Sequence, residues 1–315
     1  MQKRHGGQIL VDQLKIQGTK RVFCIPGESF LAALDGLYKS EIDIIVGRQE
    51  GGVAMMAAAH GRLTGSPGIA FVTRGPGATN ASAGVHVAYQ NAIPMILFIG
   101  QVGTSMVDRE AFQEINYRDM YGDVAKWVAQ IDKIERIPEY ISCAYHTAKS
   151  GRPGPVVLAL PEDVLSASAD VEDCRPAHMV QPKVNEEELS IVLEQLERAH
   201  RPLVIVGGGG WDQECNQDLT AFAETFDLPV AASFRRQDYF DNRHKNYIGD
   251  VGIGINPKLA EMIQISDLLL VLGARLGEMP TSGYKHLRIP NPVQPMIHVH
   301  PDPNELGKVY RPESA

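Results

Sequence analysis

The stretch GRQEGGVAMMAAAHGRLTGSPGIAFVTRGPGATNASAGVHVAYQNAIPMILFIGQV, residues 47–102, decides the fold. Two continuous apolar runs inside it, GIAFVT (68–73) and PMILFIG (94–100), have the length and texture of strands buried on both faces. Ahead of them lie Gly51–Leu63 and Ala78–Asn91, each long enough for a crossover helix. Working outward, RVFCI (21–25), IDIIV (42–46) and PVVLAL (155–160) add three runs of the same kind, and Ser29–Lys39 adds a helix. Further helical stretches are expected at 117–129 and 134–149. Repeated strand–helix–strand units imply an α/β domain, a doubly wound parallel sheet covered by helices on both sides, over residues 1–167.

Residues 168–187 are polar and proline-punctuated without periodicity, and are read as a linker. A second α/β series fills 188–315, a second doubly wound, Rossmann-like domain. Its helices are expected near 187–200, 213–226 and 256–265. Its strands are PLVIV (202–206), LPVAA (228–232), DLLLVLG (267–273) and MIHVH (296–300).

Composition narrows the function. A net charge of -8 over 315 residues, with basic residues scattered, argues against nucleic acid or an anionic membrane as partner and favours a small soluble substrate. No apolar run reaches the length of a spanning helix, and the N-terminus lacks the apolar core of a signal peptide. Four cysteines far apart, without a C-x-x-C pair, suggest neither a disulfide framework nor a zinc site. A cytoplasmic protein is expected.

Three glycine-bearing turns each follow a strand and open a helix: IPGES (25–29), GRQEGG (47–52) and TRGPGATN (73–80). GQV (100–102) follows the next strand. In a doubly wound sheet all four emerge at the carboxyl edge, where ligands bind. Glu50 and Glu28 are the carboxylates within them; the small apolar GGVAMMAAAH behind Glu50 suggests an enclosed acid, while its place at a helix start also fits a simple cap-region charge favoured by the helix dipole. In the second domain GGGG (207–210) stands between a strand and a helix, with Asp212 where the third glycine of a dinucleotide fingerprint belongs. It reads either as a flexible turn or as a nucleotide-binding one.

Residues 48–102, followed by AFQE (111–114) and SGRPGPVVLALPEDV (150–164), resemble the pyrimidine-binding domain of thiamine-diphosphate enzymes, and most closely the acetolactate-synthase group. The second domain resembles that family's central domain. The resemblance implies that Glu50 hydrogen-bonds a ring nitrogen of the cofactor's aminopyrimidine and promotes the tautomer that removes the thiazolium proton. It implies that Pro26, Gly27, Thr73, Gly77 and Asn80 line the cofactor, and that Phe112 and Gln113 face the reacting centre. It further implies FAD or ADP in the central domain, with Arg152, Gly208, Gly209, Gly252, Arg275 and Asp302 near it.

The expected function is decarboxylation and carboligation of 2-keto acids with pyruvate as donor, a transferase of branched-chain amino acid biosynthesis. A homodimer or homotetramer is implied. The family's third domain, which carries a GDG…N motif for magnesium and diphosphate, finds no counterpart in these residues; the chain is expected to be incomplete and inactive alone. LPEDV places Glu162 where acetolactate synthases usually have lysine, and His300 stands where an aspartate is common. Another thiamine-diphosphate decarboxylase or lyase, acting on a 2-keto acid or a 2-hydroxyacyl-CoA, therefore stays open. So does a non-catalytic nucleotide-binding partner subunit.

Overall fold

A computed structural model describes residues 3–180 and 182–315. The chain divides into two compact units, one ending at Val180 and one at Ala315.

The first unit runs β1 (Arg4–His5), α1 (Gly6–Ile16), β2 (Arg21–Cys24), α2 (Leu31–Tyr38), β3 (Asp43–Val46), α3 (Glu50–Thr64), β4 (Gly68–Val72), α4 (Pro76–Gln90), β5 (Met95–Gln101), α5 (Tyr117–Tyr121), β6 (Trp127–Gln130), α6 (Ile137–Lys149), β7 (Pro155–Pro161), α7 (Glu162–Ser166) and β8 (Ser168–Ala169). Six strands form a parallel sheet in the order β3-β2-β4-β5-β7-β6. Alternation along β4 and β5 divides the core. Ile69, Phe71, Ile96 and Phe98 pack under α1, α2 and α6, while Ala70, Val72, Leu97 and Ile99 pack under α3, α4 and α5. On the first face Phe71 stacks on Phe98 at 4.7 Å and lies 5.9 Å from Phe30.

The second face is built from small residues, and the reason is distance. A Cβ on Gly84 would collide with Ala54, one on Gly68 with the Ala57 carbonyl, and one on Gly61 with the Pro94 carbonyl. With Ala57, Ala58, Ala81 and Ala88 buried between them, α3 and α4 approach closely. The small residues behind Glu50 thus serve helix packing. They do not enclose the acid, whose side chain is half-buried.

Other expectations also change. β3 is an edge strand with an exposed face, because β2 covers one side only. The helix expected over 117–129 is the single turn α5 followed by strand β6, whose four residues are too few to announce a period. Residues 168–180, expected as linker, belong to the first unit. β8 pairs antiparallel with β1, and Val171 is buried. On α1, the Gln13 amide donates to Cys174 O (3.0 Å) and accepts from Cys174 N (3.0 Å). Gln17 does the same with Arg175 O (3.2 Å) and Ala177 N (2.8 Å). Side-chain amides four residues apart replace a strand partner, so the strapped segment needs no pattern of its own.

The second unit runs α8 (Glu186–Arg198), β9 (Pro202–Val206), α9 (Gln213–Thr225), β10 (Val230–Ser233), β11 (Tyr247–Val251), α10 (Pro257–Ile265), β12 (Leu268–Leu272) and β13 (Met296–Val299). Its parallel sheet has the order β11-β10-β9-β12-β13. Core clusters lie on both faces. β11 is a strand that the sequence does not announce, because its half-buried edge position masks the apolar signal.

Candidate functional site

The order of the first sheet reverses between β2 and β4, since β3 lies on one side of β2 and β4 on the other. Strand-end turns diverge at such a point and leave a crevice. Pro26 and Gly27 follow β2, and Thr73 follows β4. A Cβ on Gly27 would lie 2.6 Å from Thr73 Cβ, so only glycine lets these turns touch. Ser29 Oγ and Thr73 Oγ1 are 2.8 Å apart, closing the floor. Gly77 is buried against Thr73, where an added Cβ would stand 2.9 Å from the threonine methyl.

Glu50 opens α3 at this edge. Gln49 caps the helix, its Oε1 accepting from Gly52 N at 2.8 Å. The close α3–α4 packing brings Asn80, in the first turns of α4, to Glu50. Asn80 Nδ2 donates to Glu50 Oε2 at 3.0 Å. Among the described residues no hydrogen bond engages Glu50 Oε1. The result is an oriented carboxyl group with one oxygen held and the other open at the crevice.

Phe112 and Gln113 arrive on the long connection after β5. The Phe112 side chain is 75% exposed, although its backbone is fixed. Gln113 has φ +66°, and its backbone packs on Gly75, where a Cβ would come within 2.7 Å of Gln113 Cβ. Tyr117, buried at the start of α5, accepts from Gly75 N at 3.0 Å, and burial pushes its phenol up. Gln101 is buried and donates to Ile115 O at 3.0 Å. These contacts bring Phe112 and Gln113 to the edge that carries Pro26, Gly27, Thr73, Gly77, Asn80 and Glu50.

Arg152 lies elsewhere. It precedes β7, at the amino edge of the sheet, and its Nη2 donates to Tyr89 O (2.8 Å) and Gln90 O (3.1 Å) at the end of α4. The guanidinium completes a helix terminus there. In the second unit, Gly208 has φ +81°, and its carbonyl accepts from Arg236 and, at 3.0 Å, from Tyr239. Gly209 continues this turn. Asp212 caps α9 by accepting from Cys215 N at 2.9 Å. A carboxylate therefore occupies the helix N-terminus that a phosphate would need. Gly252 follows β11, with Phe234 3.0 Å from where its Cβ would be. Arg275 lines a cavity of about 140 Å³ together with His298, Glu305, Lys308 and Tyr310. Asp302 holds a turn, its Oδ1 accepting from Asn304 N and Nδ2, each at 3.0 Å.

Sequence reasoning missed Arg74, Gln101 and Tyr117. The available signal for Arg74 was a cation inside a turn otherwise made of small residues, on an edge that also receives Glu28 and Glu162.

Two family models match the chain. The thiamine pyrophosphate enzyme N-terminal TPP binding domain matches residues 4–120, and the thiamine pyrophosphate enzyme central domain matches residues 189–315. The acetolactate synthase large subunit of Haemophilus influenzae is 31% identical over 315 residues, covering 98% of this chain and 54% of that protein. The acetolactate synthase isozyme 3 large subunit of Escherichia coli gives the same figures. A probable acetolactate synthase large subunit of Methanocaldococcus jannaschii is 31% identical over 313 residues, 97% of this chain and 52% of its own. The chain spans about half the length of these curated relatives. It belongs to the thiamine pyrophosphate enzyme family, among relatives of the acetolactate-synthase kind. Among the described residues no helix is long and apolar enough to cross a membrane.

Proposed function

We propose that this chain supplies the pyrimidine side of a thiamine-diphosphate site that decarboxylates a 2-keto acid, with pyruvate as donor, and joins the retained fragment to a second carbonyl. The observation that carries this reading is the oriented Glu50 carboxyl, held through Oε2 by Asn80 at the switch point of the sheet. The residues present fit the group. Glycines 27, 75 and 77 let the turns around the crevice pack closely on one another, and Glu50 Oε1 is open to a ring nitrogen.

Bound thiamine diphosphate supplies a nucleophilic carbon for attack on the keto carbonyl, which protein side chains lack. Within this chain, Glu50 holds and exchanges a proton at Oε1, and Asn80 fixes the carboxyl so that this oxygen faces the crevice. Thr73 and Gly27 set the floor. Phe112 and Gln113 present an apolar and an amide surface to the substrate, Phe112 excluding water and Gln113 offering a hydrogen bond. In this reading magnesium and the diphosphate contacts come from outside these residues, and the site is completed in a homodimer or homotetramer. A role for FAD or ADP in the second unit draws support from the glycine turns and the Arg275 cavity. The α9 N-terminus, capped by Asp212, is not part of it.

The test is turnover by the full-length protein with thiamine diphosphate and magnesium, following carbon dioxide release from pyruvate, other 2-keto acids and a 2-hydroxyacyl-CoA. Glu50→Gln is expected to lower kcat by about 10²–10⁴-fold, the usual weight of a proton-transferring group, without loss of helical structure. Equal turnover by wild type and Glu50→Gln would remove the acid's role. Absence of thiamine-dependent turnover with every substrate would remove the function.

A further inference from the structure

Arg74 stands two residues past the end of β4 and is buried to 9% exposure. Each of its three side-chain nitrogens is engaged. Nε donates to Phe112 O at 3.1 Å, Nη1 to Glu162 Oε2 at 3.2 Å, and Nη2 faces Glu28 Oε1 at 3.6 Å. One guanidinium thus joins the turn after β2, the turn after β4, the start of α7 and the segment that carries Phe112 and Gln113.

That segment is held against backbone preference. Asp108, Glu110 and Gln113 have φ of +62°, +54° and +66°, a region that residues with a Cβ rarely adopt unless their surroundings impose it. Its flanks are tied separately. Asp163 accepts from Thr104 N (3.0 Å) and Oγ1 (2.5 Å), and the Glu114 carboxylate accepts from Asp108 N (2.8 Å) and Ala111 N (3.1 Å). The Phe112 carbonyl, between them, is held by Arg74. Glu162 and Glu28 balance the buried charge, without which a guanidinium in this position would be unfavourable.

We propose that Arg74 is a positioning residue: balanced by Glu162 and Glu28, it fixes the Phe112–Gln113 backbone so that both side chains are presented at the edge that carries Glu50. The proposal rests on the thiamine reading above and extends it to residues that the resemblance does not place against the cofactor. It also gives the departure at position 162 a physical role. Glu162 is the counter-ion of Arg74, and a lysine there would set a like charge against the guanidinium.

The experiment compares backbone hydrogen exchange in the full-length wild type with Arg74→Gln, Arg74→Lys and Glu162→Lys, together with trypsin cleavage after Arg109. Loss of a charge-assisted bond is expected to speed exchange across 108–116 by about tenfold or more, with β4 and β5 unchanged. Cleavage after Arg109 should rise in parallel. Arg74→Lys keeps the charge but loses the forked geometry, and should fall between wild type and Arg74→Gln. In turnover assays kcat should drop with KM for thiamine diphosphate unchanged. Unaltered exchange over 108–116 would overturn the proposal, and so would acceleration spread equally through β4 and β5. Should Arg74→Gln fail to fold, Glu162→Lys, at a half-exposed position, decides the matter by the same readout. Exchange and proteolysis need no thiamine chemistry, so failure here is separable from failure of the functional reading.

Discussion

Asn80 Nδ2 and Glu50 Oε2 define the residue scale of this protein: a single 3.0 Å bond converts a helix-start acid into an oriented one. A charge in the first turn of a helix is ordinary, favoured by the helix dipole. What distinguishes Glu50 is the neighbour that fixes one oxygen and leaves the other open. His298 shows the same dependence on surroundings in the second unit. Burial pushes its imidazole below the ordinary 6.5, partly opposed by the bond from Nε2 to Ala274 O at 2.9 Å. The folded unit therefore holds a neutral ring, while the unfolded chain takes up a proton at higher pH. The stability this contributes is complete above 6.5 and is lost as pH falls through that value toward the lower folded pKa. Trp211 reports on this unit alone in a Trp127→Phe background. Its urea midpoint should decline between about pH 7 and pH 5, and His298→Gln should flatten the decline. An equal slope in both proteins would assign the acid sensitivity to other groups.

At the scale of elements, the α3–α4 pair decides whether the site exists. The helices approach because Gly84 of α4 meets Ala54 of α3 where a Cβ would stand, while Gly61 and Gly68 let α3 press on the segments that lead into β5 and β4. Asn80 reaches Glu50 only at that separation. Gly84→Ala is expected to destabilise the first unit by about 1–3 kcal/mol, the range for overpacking a filled interior. Turnover should also be lost beyond what the stability change explains, because the helices part on the side that carries Asn80. The first part is read from Trp127 fluorescence in a Trp211→Phe background during urea unfolding, and the second from kcat under conditions where the variant is folded. A Gly84→Ala protein of unchanged stability would mean that the helix pair adapts, and that close packing does not set the Glu50–Asn80 distance.

At the scale of the molecule, each unit is a parallel sheet with its own two core clusters, and the first unit keeps a strap that sequence texture assigned to the linker. Gln13 holds both backbone groups of Cys174, and Gln17 holds Arg175 and Ala177. Gln13→Ala leaves a backbone donor and an acceptor without these partners. It should lower the stability of the first unit by about 1–3 kcal/mol and open residues 171–180 to proteolysis. The Trp127 transition should shift while the Trp211 transition does not. A shift of equal size in both would show that the strap does not belong to the first unit alone.

Local sequence determined a large part of this. Buried strands β2, β4, β5 and β7 write their own continuous apolar runs, and glycine turns at strand ends mark the edge where a ligand is received. Those two signals carry the fold class and the positions of Glu50, Gly27, Thr73 and Gly77. The short strand β6, the edge strand β11 and the strap at 171–177 left no signal, because a few half-exposed residues carry no period and side-chain amides can satisfy an extended backbone from afar. Tertiary structure alone decided three matters. Asn80 meets Glu50, Arg74 meets Phe112, Glu162 and Glu28, and Arg152 points to the end of α4. Each joins residues at least 30 positions apart, and such pairing depends on how closely helices and turns pack, a distance that no single segment of sequence contains.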